Sequence, residues 1–344
     1  MAVSPIIKPC KIFILGEAPG KDEEFLGVPF IGLSGQELRK MLAEAGLDLS
    51  SCSVSNVFLI RPKDNKIENF CVKKAEAQYD FPPPLSQGKY FRKDLLPNRE
   101  RVHQEINASG ANLVLALGNT ACWALLDKTG ISALRGAVTK SPYISAKVIP
   151  AYHPAAILRN WELRHTTIVD FQKAKAEAES KEITYDEVSV IIEPGLEDLE
   201  SFYKRARSAP HISPDIETSP SRGQILCIGF GLGKLSLCCP FVDRRKPGYN
   251  YWPSLKDEAS AWSFVKRMFE LPQTKIFQNG LYDISWLWKK HGIFPRGDIE
   301  DTMLYHHSLF PEMTKGLDFL GSIYANLPAW KNTHRRKEMN KKEE

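Results

Sequence analysis

No apolar run in these 344 residues approaches membrane-spanning length, and the opening MAVSPIIKPCKIF lacks the layout of a signal peptide. A cytoplasmic protein is therefore expected. No C-x-x-C pair occurs among the seven cysteines, an odd number in which only Cys238 and Cys239 are adjacent. That argues against a disulfide framework and for reduced, mostly buried thiols. Internal repeats are also lacking. What is present is ordinary globular composition, 43 % hydrophobic and 25 % charged residues, over a length that favours two domains. The net charge of +5 suits a polyanionic partner without specifying one.

Strand-like runs alternate with helical ones in the first half. Lys11–Ala18 (KIFILGEA), Val54–Ile60, Ala111–Gly118 (ANLVLALG) and Lys147–Tyr152 read as strands. Ser34–Leu47 reads as a helix with Ser34 as its N-cap and Gly46 near its end, and a second helix follows Gly118. This alternation predicts a three-layer α/β/α domain on a parallel sheet, with sites beyond the carboxyl ends of the strands. Gly16, Asn56, Gly118 and His153 fall at such ends. Residues 65–96, with Pro82-Pro83-Pro84, read as a surface excursion. The charged KAKAEAESKE, Lys173–Glu182, reads as the approach to a linker, since nothing in it demands burial. We place the first domain at 1–178, the linker at 179–187, a second domain at 188–330 and a charged tail at 331–344. The second domain reads as strands first and helices after, which predicts a mixed sheet.

Gly16-Glu17-Ala18-Pro19-Gly20, Gly27-Val28-Pro29-Phe30-Ile31-Gly32 and Ser34-Gly35 lie in one stretch after the first strand. Asn56 opens NVFLIRP after the second strand, and His153 opens HPAAILR after the fourth. In order and spacing this set resembles the uracil-DNA glycosylases, especially their iron–sulfur branch, over roughly the first 175 residues. The resemblance implies a pocket for an extruded base. Phe30 would stack on uracil, with Gly16 and Ala18 at the base. The Asn56 amide would accept from N3–H and donate to O4, polarities that cytosine reverses. His153 would donate to O2 as negative charge develops, and Glu17 would sit beside the base or the attacking water. Ser34 and Arg159 would contact DNA. Relatives that bear the cluster carry a cysteine where this chain has Ile60, and a cysteine pair before the first strand where only Cys10 stands. No iron–sulfur cluster is expected.

Asp215 and Glu217, in SPDIET, stand two apart on a predicted strand and so share a face. Asn279 and Asp283, in QNGLYD, lie four apart where a helix opens. With Asp301-Thr302-Met303 and GLDFLGSIY, these resemble the DEDD-type 3′–5′ proofreading exonucleases of family A DNA polymerases, a ribonuclease-H-like fold. The resemblance implies Mg²⁺ or Mn²⁺ held by Asp215, Glu217 and Asp283, with Asn279 contacting DNA. A fourth carboxylate motif is missing, so metal binding is expected to be weak and the exonuclease domain incomplete. The domain order resembles the N-terminal part of certain bacteriophage DNA polymerases. That implies DNA as partner, uracil-containing or with single-stranded 3′ ends, and a separate or missing polymerase module. The expected function is excision of uracil. The alternative is a non-catalytic, uracil-sensing portion of a phage DNA polymerase.

Overall fold

The computed structural model describes residues 2–86, 88–183, 187–219, 221 and 223–325. The chain divides into two compact units, one of Met1–Tyr185 with Asp318–Glu344, the other of Asp186–Leu317. Among the described residues no helix is long and apolar enough to cross a membrane. The proposed tail, 331–344, lies outside the described residues.

In the first unit β1 (Ile12–Gly16) leads through α1 (Lys21–Leu26) and α2 (Leu33–Glu44) to β2 (Ser53–Asn56). The expected surface excursion at 65–96 is corrected: it forms β3 (Cys71–Val72), α3 (Lys74–Ala77) and β4 (Tyr90–Phe91), the two strands pairing with each other, and buries Phe70, Leu85, Phe91 and Leu95 in the core beside Trp123. Then come α4 (Pro97–Ser109), β5 (Leu113–Leu117), α5 (Gly118–Leu126), α6 (Ile131–Leu134) and β6 (Thr139–Lys140). The run ends with β7 (Lys147–Ala151), α7 (Pro154–Ile157) and α8 (Leu163–Glu177). The sheet order is β2-β1-β5-β7-β6, parallel except for β6, which pairs antiparallel with β7. The expected parallel sheet is present, with the two-residue β6 added antiparallel at one edge.

Alternate residues of β1 enter different core layers, which is why this strand is apolar throughout. Phe13 and Leu15 pack with Val114, Ala116 and Trp123, while Ile12 and Ile14 pack with Leu38, Met41, Ile149 and Phe171. Because β2 and β5 flank β1 on opposite sides, the chain changes direction across the sheet at β1. Such a reversal is where sites of open α/β sheets lie, beyond the strand ends.

Two local expectations are corrected. Ser34 does not cap α2, whose N-cap is Gly32. Lys173–Glu177 is not loose approach to a linker but the last turn of α8, with Ala174 and Ala178 buried against the sheet. Alanine covers apolar surface without raising the hydrophobicity of a lysine- and glutamate-rich stretch.

The second unit runs β8 (Ser189–Ile191), α9 (Leu196–Ala206), β9 (His211–Ser219), β10 (Gln224–Gly231) and β11 (Leu235–Pro240). It continues with α10 (Leu255–Glu270), β12 (Thr274–Phe277), α11 (Gly280–His291), β13 (Ile299–Asp301) and α12 (Thr302–Leu309). Its sheet is mixed, in the order β13-β12-β9-β10-β11-β8, with β9, β10 and β11 antiparallel and the remaining pairs parallel. Helices α9 and α10 bury Phe202, Phe264, Val265 and Phe269 with Ile212, Ile216 and Ile228 of the sheet. The last described helix, α13 (Leu317–Tyr324), belongs from Asp318 onward to the first unit, where Ser322 accepts from the Arg135 guanidinium at 2.9 Å.

Candidate active site

The carboxyl ends of four strands of the first sheet bring Gly16, Asn56, Gly118 and the segment ending in His153 together. Gly16 is opposite Asn56 in the β1–β2 register. A Cβ at Gly16 would stand 2.3 Å from Asn56 Oδ1 and 2.5 Å from Phe30 Cζ, so only glycine lets the amide and the ring meet there. The Phe30 ring centroid lies 6.5 Å from that of His153. Phe30 has φ of 54°, a left-handed backbone costly for an aromatic residue. The loop imposes it: the carbonyl of Phe30 abuts Gly35 in the first turn of α2, where an added Cβ would be 1.9 Å away. Gly118, at φ of 84°, lets the start of α5 pass His153, whose Cβ would lie 3.2 Å from a side chain there.

Electrostatics set the protonation state of His153. The Ala155 backbone N–H donates to His153 Nδ1 at 3.2 Å, which leaves the ring proton on Nε2. Burial, assisted by the positive charge of Arg159, lowers His153 to about 4, so the imidazole is neutral at physiological pH. Glu17 accepts from Thr120 Oγ1 at 2.5 Å. Burial raises its pKa above the ordinary carboxylate value; the Thr120 bond and Arg159 oppose the shift, and Glu68 adds to it. Arg159 is exposed, with exposed Leu158 and Trp161 beside it. Ser34 is half-buried in the first turn of α2, and Ala18 packs its side chain against a core layer.

Three residues with a part in this geometry escaped the sequence reading. Glu23 is buried and accepts from the N–H of Gly20 at 3.1 Å and of Gly32 at 2.9 Å, tying the two ends of the loop that carries Phe30. Its position three residues after Gly20, the pattern of a capping box, was the available signal. Thr120 holds Glu17, and Arg101 holds the backbone at Asn56; neither has a local sequence signature.

In the second unit Asp215 and Glu217 alternate with buried Pro214 and Ile216, so both project from the open face of β9. Strand β12 pairs with β9 only at His211 and Ile212. Farther along, buried Asp283 of α11 accepts the Ile216 N–H at 2.9 Å. Burial pushes Asp283 up to about 6; the Ile216 bond opposes this, and the charges of Asp215 and Asp301 add to it. Burial and the neighbouring Glu217 also raise Asp215. Asp301 accepts from the N–H groups of Asn279 at 3.1 Å, Met303 at 2.9 Å and Gly280 at 2.8 Å, so it braces the starts of α11 and α12. Exposed Asn279 sits at the N-cap of α11 with φ of 63°. Hard oxygen donors of this kind suit Mg²⁺ or Mn²⁺. Yet among the described residues no group of three or more His, Cys, Asp or Glu side chains is arranged to hold a metal ion. The expected Asp215, Glu217 and Asp283 trio is near enough to interact electrostatically but does not close a ligand set.

The four cysteines of the first unit are divided between its two core layers. Cys122 lies in one core layer of the first unit and Cys52 in the other, with Cys10 and Cys71 at the margin of the first. Burial pushes Cys52 and Cys71 to about 11 and Cys122 to about 12, so these thiols are protonated. Ile60 is exposed. This donor set does not fit an iron–sulfur cluster.

Residues 7–179 match the uracil DNA glycosylase superfamily, and residues 192–342 match a 3′–5′ exonuclease family. The Type-4 uracil-DNA glycosylase of Archaeoglobus fulgidus is 31 % identical over 170 residues, covering 47 % of this chain and 74 % of the relative. That of Thermotoga maritima is 31 % identical over 173 residues, covering 48 % and 77 %. Among solved structures, Escherichia coli RNase D, an exoribonuclease, is 19 % identical with a TM-score of 0.30, covering 44 % of this chain and 40 % of that one. The expected resemblance to part of a phage DNA polymerase gains no support from these matches. Strand-end motifs and family matches agree: the chain belongs to the uracil DNA glycosylase superfamily and carries a 3′–5′ exonuclease domain after its glycosylase domain.

Proposed function

We propose that the first unit excises uracil from DNA by hydrolysing its N-glycosidic bond. The observation that carries this reading is the meeting of the Phe30 ring and the Asn56 amide over Gly16, with the His153 ring 6.5 Å from that of Phe30. An extruded uracil would lie on Phe30 and present N3–H and O4 to Asn56, whose amide matches that donor–acceptor order and mismatches cytosine. The neutral His153 ring donates from Nε2 to O2, where negative charge gathers as the bond breaks. A neutral donor suits this role because it steadies the departing anion without having to surrender its proton. Glu17, held by Thr120, faces the base or the attacking water. Arg159 and Ser34 meet the DNA backbone.

The second unit, in this reading, engages nucleic acid and binds divalent metal weakly through Asp215, Glu217 and Asp283. These carboxylates would supply the oxygen ligands. The domain limits 1–178 and 188–330 are part of this proposal, beside family matches at 7–179 and 192–342 and a compact second unit that ends at Leu317.

A gel assay on uracil-containing single- and double-stranded DNA, with alkali cleavage of abasic sites, tests the first proposal. Abasic product is expected with EDTA present, since the chemistry assigned above uses side chains alone. No product at high protein concentration would refute excision and leave a uracil-sensing role.

A further inference from the structure

We propose that Arg101 is a positioning residue for the base-reading amide of Asn56, an inference that rests on the reading of that pocket. Asn56 is the last residue of β2, and the chain must turn immediately after it. What holds it there comes from α4. Arg101 Nη2 donates to two successive carbonyls, those of Asn56 and Val57, each at 2.8 Å. Its Nη1 is paired with Glu105 one turn along the same helix, and lies 3.4 Å from Ser55 Oγ. Ser55 in turn donates to Glu105 Oε2 at 2.7 Å, closing a ring of contacts around the residue before Asn56. On the opposite side the Val57 N–H donates to the Gly16 carbonyl at 3.0 Å and the Phe58 N–H to the Glu17 carbonyl at 3.0 Å.

The peptide planes on either side of Val57 are therefore gripped from both faces, and the direction of the Asn56 side chain is set by that grip. The rigid guanidinium plane sets Nη2 against the two carbonyls while Nη1 stays on Glu105; a lysine ammonium, with all its donors on one atom, cannot stand at both positions. Displacing the amide by a fraction of an ångström would cost rate and discrimination, because its two hydrogen bonds to the base are directional.

The test uses the full chain and its Arg101→Ala and Arg101→Lys variants, measured by single-turnover excision from uracil-containing DNA. A second readout is binding of oligonucleotides carrying uncleavable 2′-fluoro-deoxyuridine or 2′-fluoro-deoxycytidine. Excision is expected to fall roughly 10- to 100-fold in Arg101→Ala, with guanidinium ion restoring part of it, and preference for the uridine probe should shrink in parallel. Arg101→Lys should recover little. Equal excision and equal preference in Arg101→Ala would overturn the proposal and leave the pocket reading intact. Loss that follows only the folded fraction, without rescue, would overturn it as well. A parent chain that neither excises uracil nor prefers the uridine probe would overturn both readings.

Discussion

The two units handle polar groups at their sites in opposite ways. In the first, each candidate group is held by a partner: the neutral His153 ring by Ala155, Glu17 by Thr120, and the Asn56 backbone by Arg101. In the second, Asp215, Glu217 and Asp283 bring negative charge together, and their mutual repulsion adds to burial in raising the pKa of Asp215 and Asp283. The first arrangement is preorganised for a neutral base that becomes an anion in the reaction. The second is destabilised as it stands and improves only when a cation or a proton arrives. As proposed, one chain thus pairs a pocket built on a neutral donor with carboxylates that, among the described residues, close no ligand set.

The sharpest way to break this contrast is at His153. His153→Ala removes the donor aimed at O2 and should cut the excision rate about 100- to 1000-fold, roughly 2.7–4 kcal/mol of transition-state stabilisation. The fold should survive. With the ring titrating near 4, the rate of the parent chain should show no inflection from His153 between pH 5 and 8 and should decline toward pH 4. A step near pH 6.5 that disappears in His153→Ala would contradict the neutral-imidazole assignment.

A smaller effect is expected at Asp283. Its pKa is raised on folding from 3.8 to about 6, so the folded chain holds this proton more tightly than the unfolded one. The associated stability is fully present below about pH 4 and is lost as pH rises to about 6. Asp283→Asn keeps an acceptor for the Ile216 N–H and removes the charge. It should be more stable than the parent at pH 8, by on the order of 2 kcal/mol, and equal to it at pH 4. Smallest of all, saturating Mg²⁺ should raise the melting temperature of the parent by about a degree or two at pH 8, and leave Asp283→Asn unmoved. Differential scanning fluorimetry reads both. A large Mg²⁺ effect would show that the carboxylates form a complete metal site.

Much of this architecture was readable because the central strands are buried on both faces, which leaves continuous apolar runs such as IFILG and LVLAL. The candidate residues stand where those runs stop, so Gly16, Asn56 and His153 could be picked out in order. The short strands β6 and β13 were missed, because segments of two or three residues show no periodicity. The end of α8 was misread because alanines supply its buried face. The braces were invisible for a different reason. Arg101 and Asn56 are 45 residues apart in the chain, and Thr120 and Glu17 are 103 apart. No local pattern links such pairs; only the packed sheet does.

The central claim is that the Asn56 amide reads the base in a pocket formed with Phe30 and His153. Asn56→Asp tests it most directly, because the change is nearly isosteric and replaces the amide's donor by a charged oxygen that only accepts. Excision should be measured side by side on otherwise identical DNA carrying uracil or cytosine at one position, with the parent chain and the variant. The account expects the parent to release uracil and leave cytosine, and the variant to lose most of its activity on uracil while the distinction between the two bases narrows. A variant that releases uracil as fast as the parent, with cytosine still untouched, would show that Asn56 does not read the base.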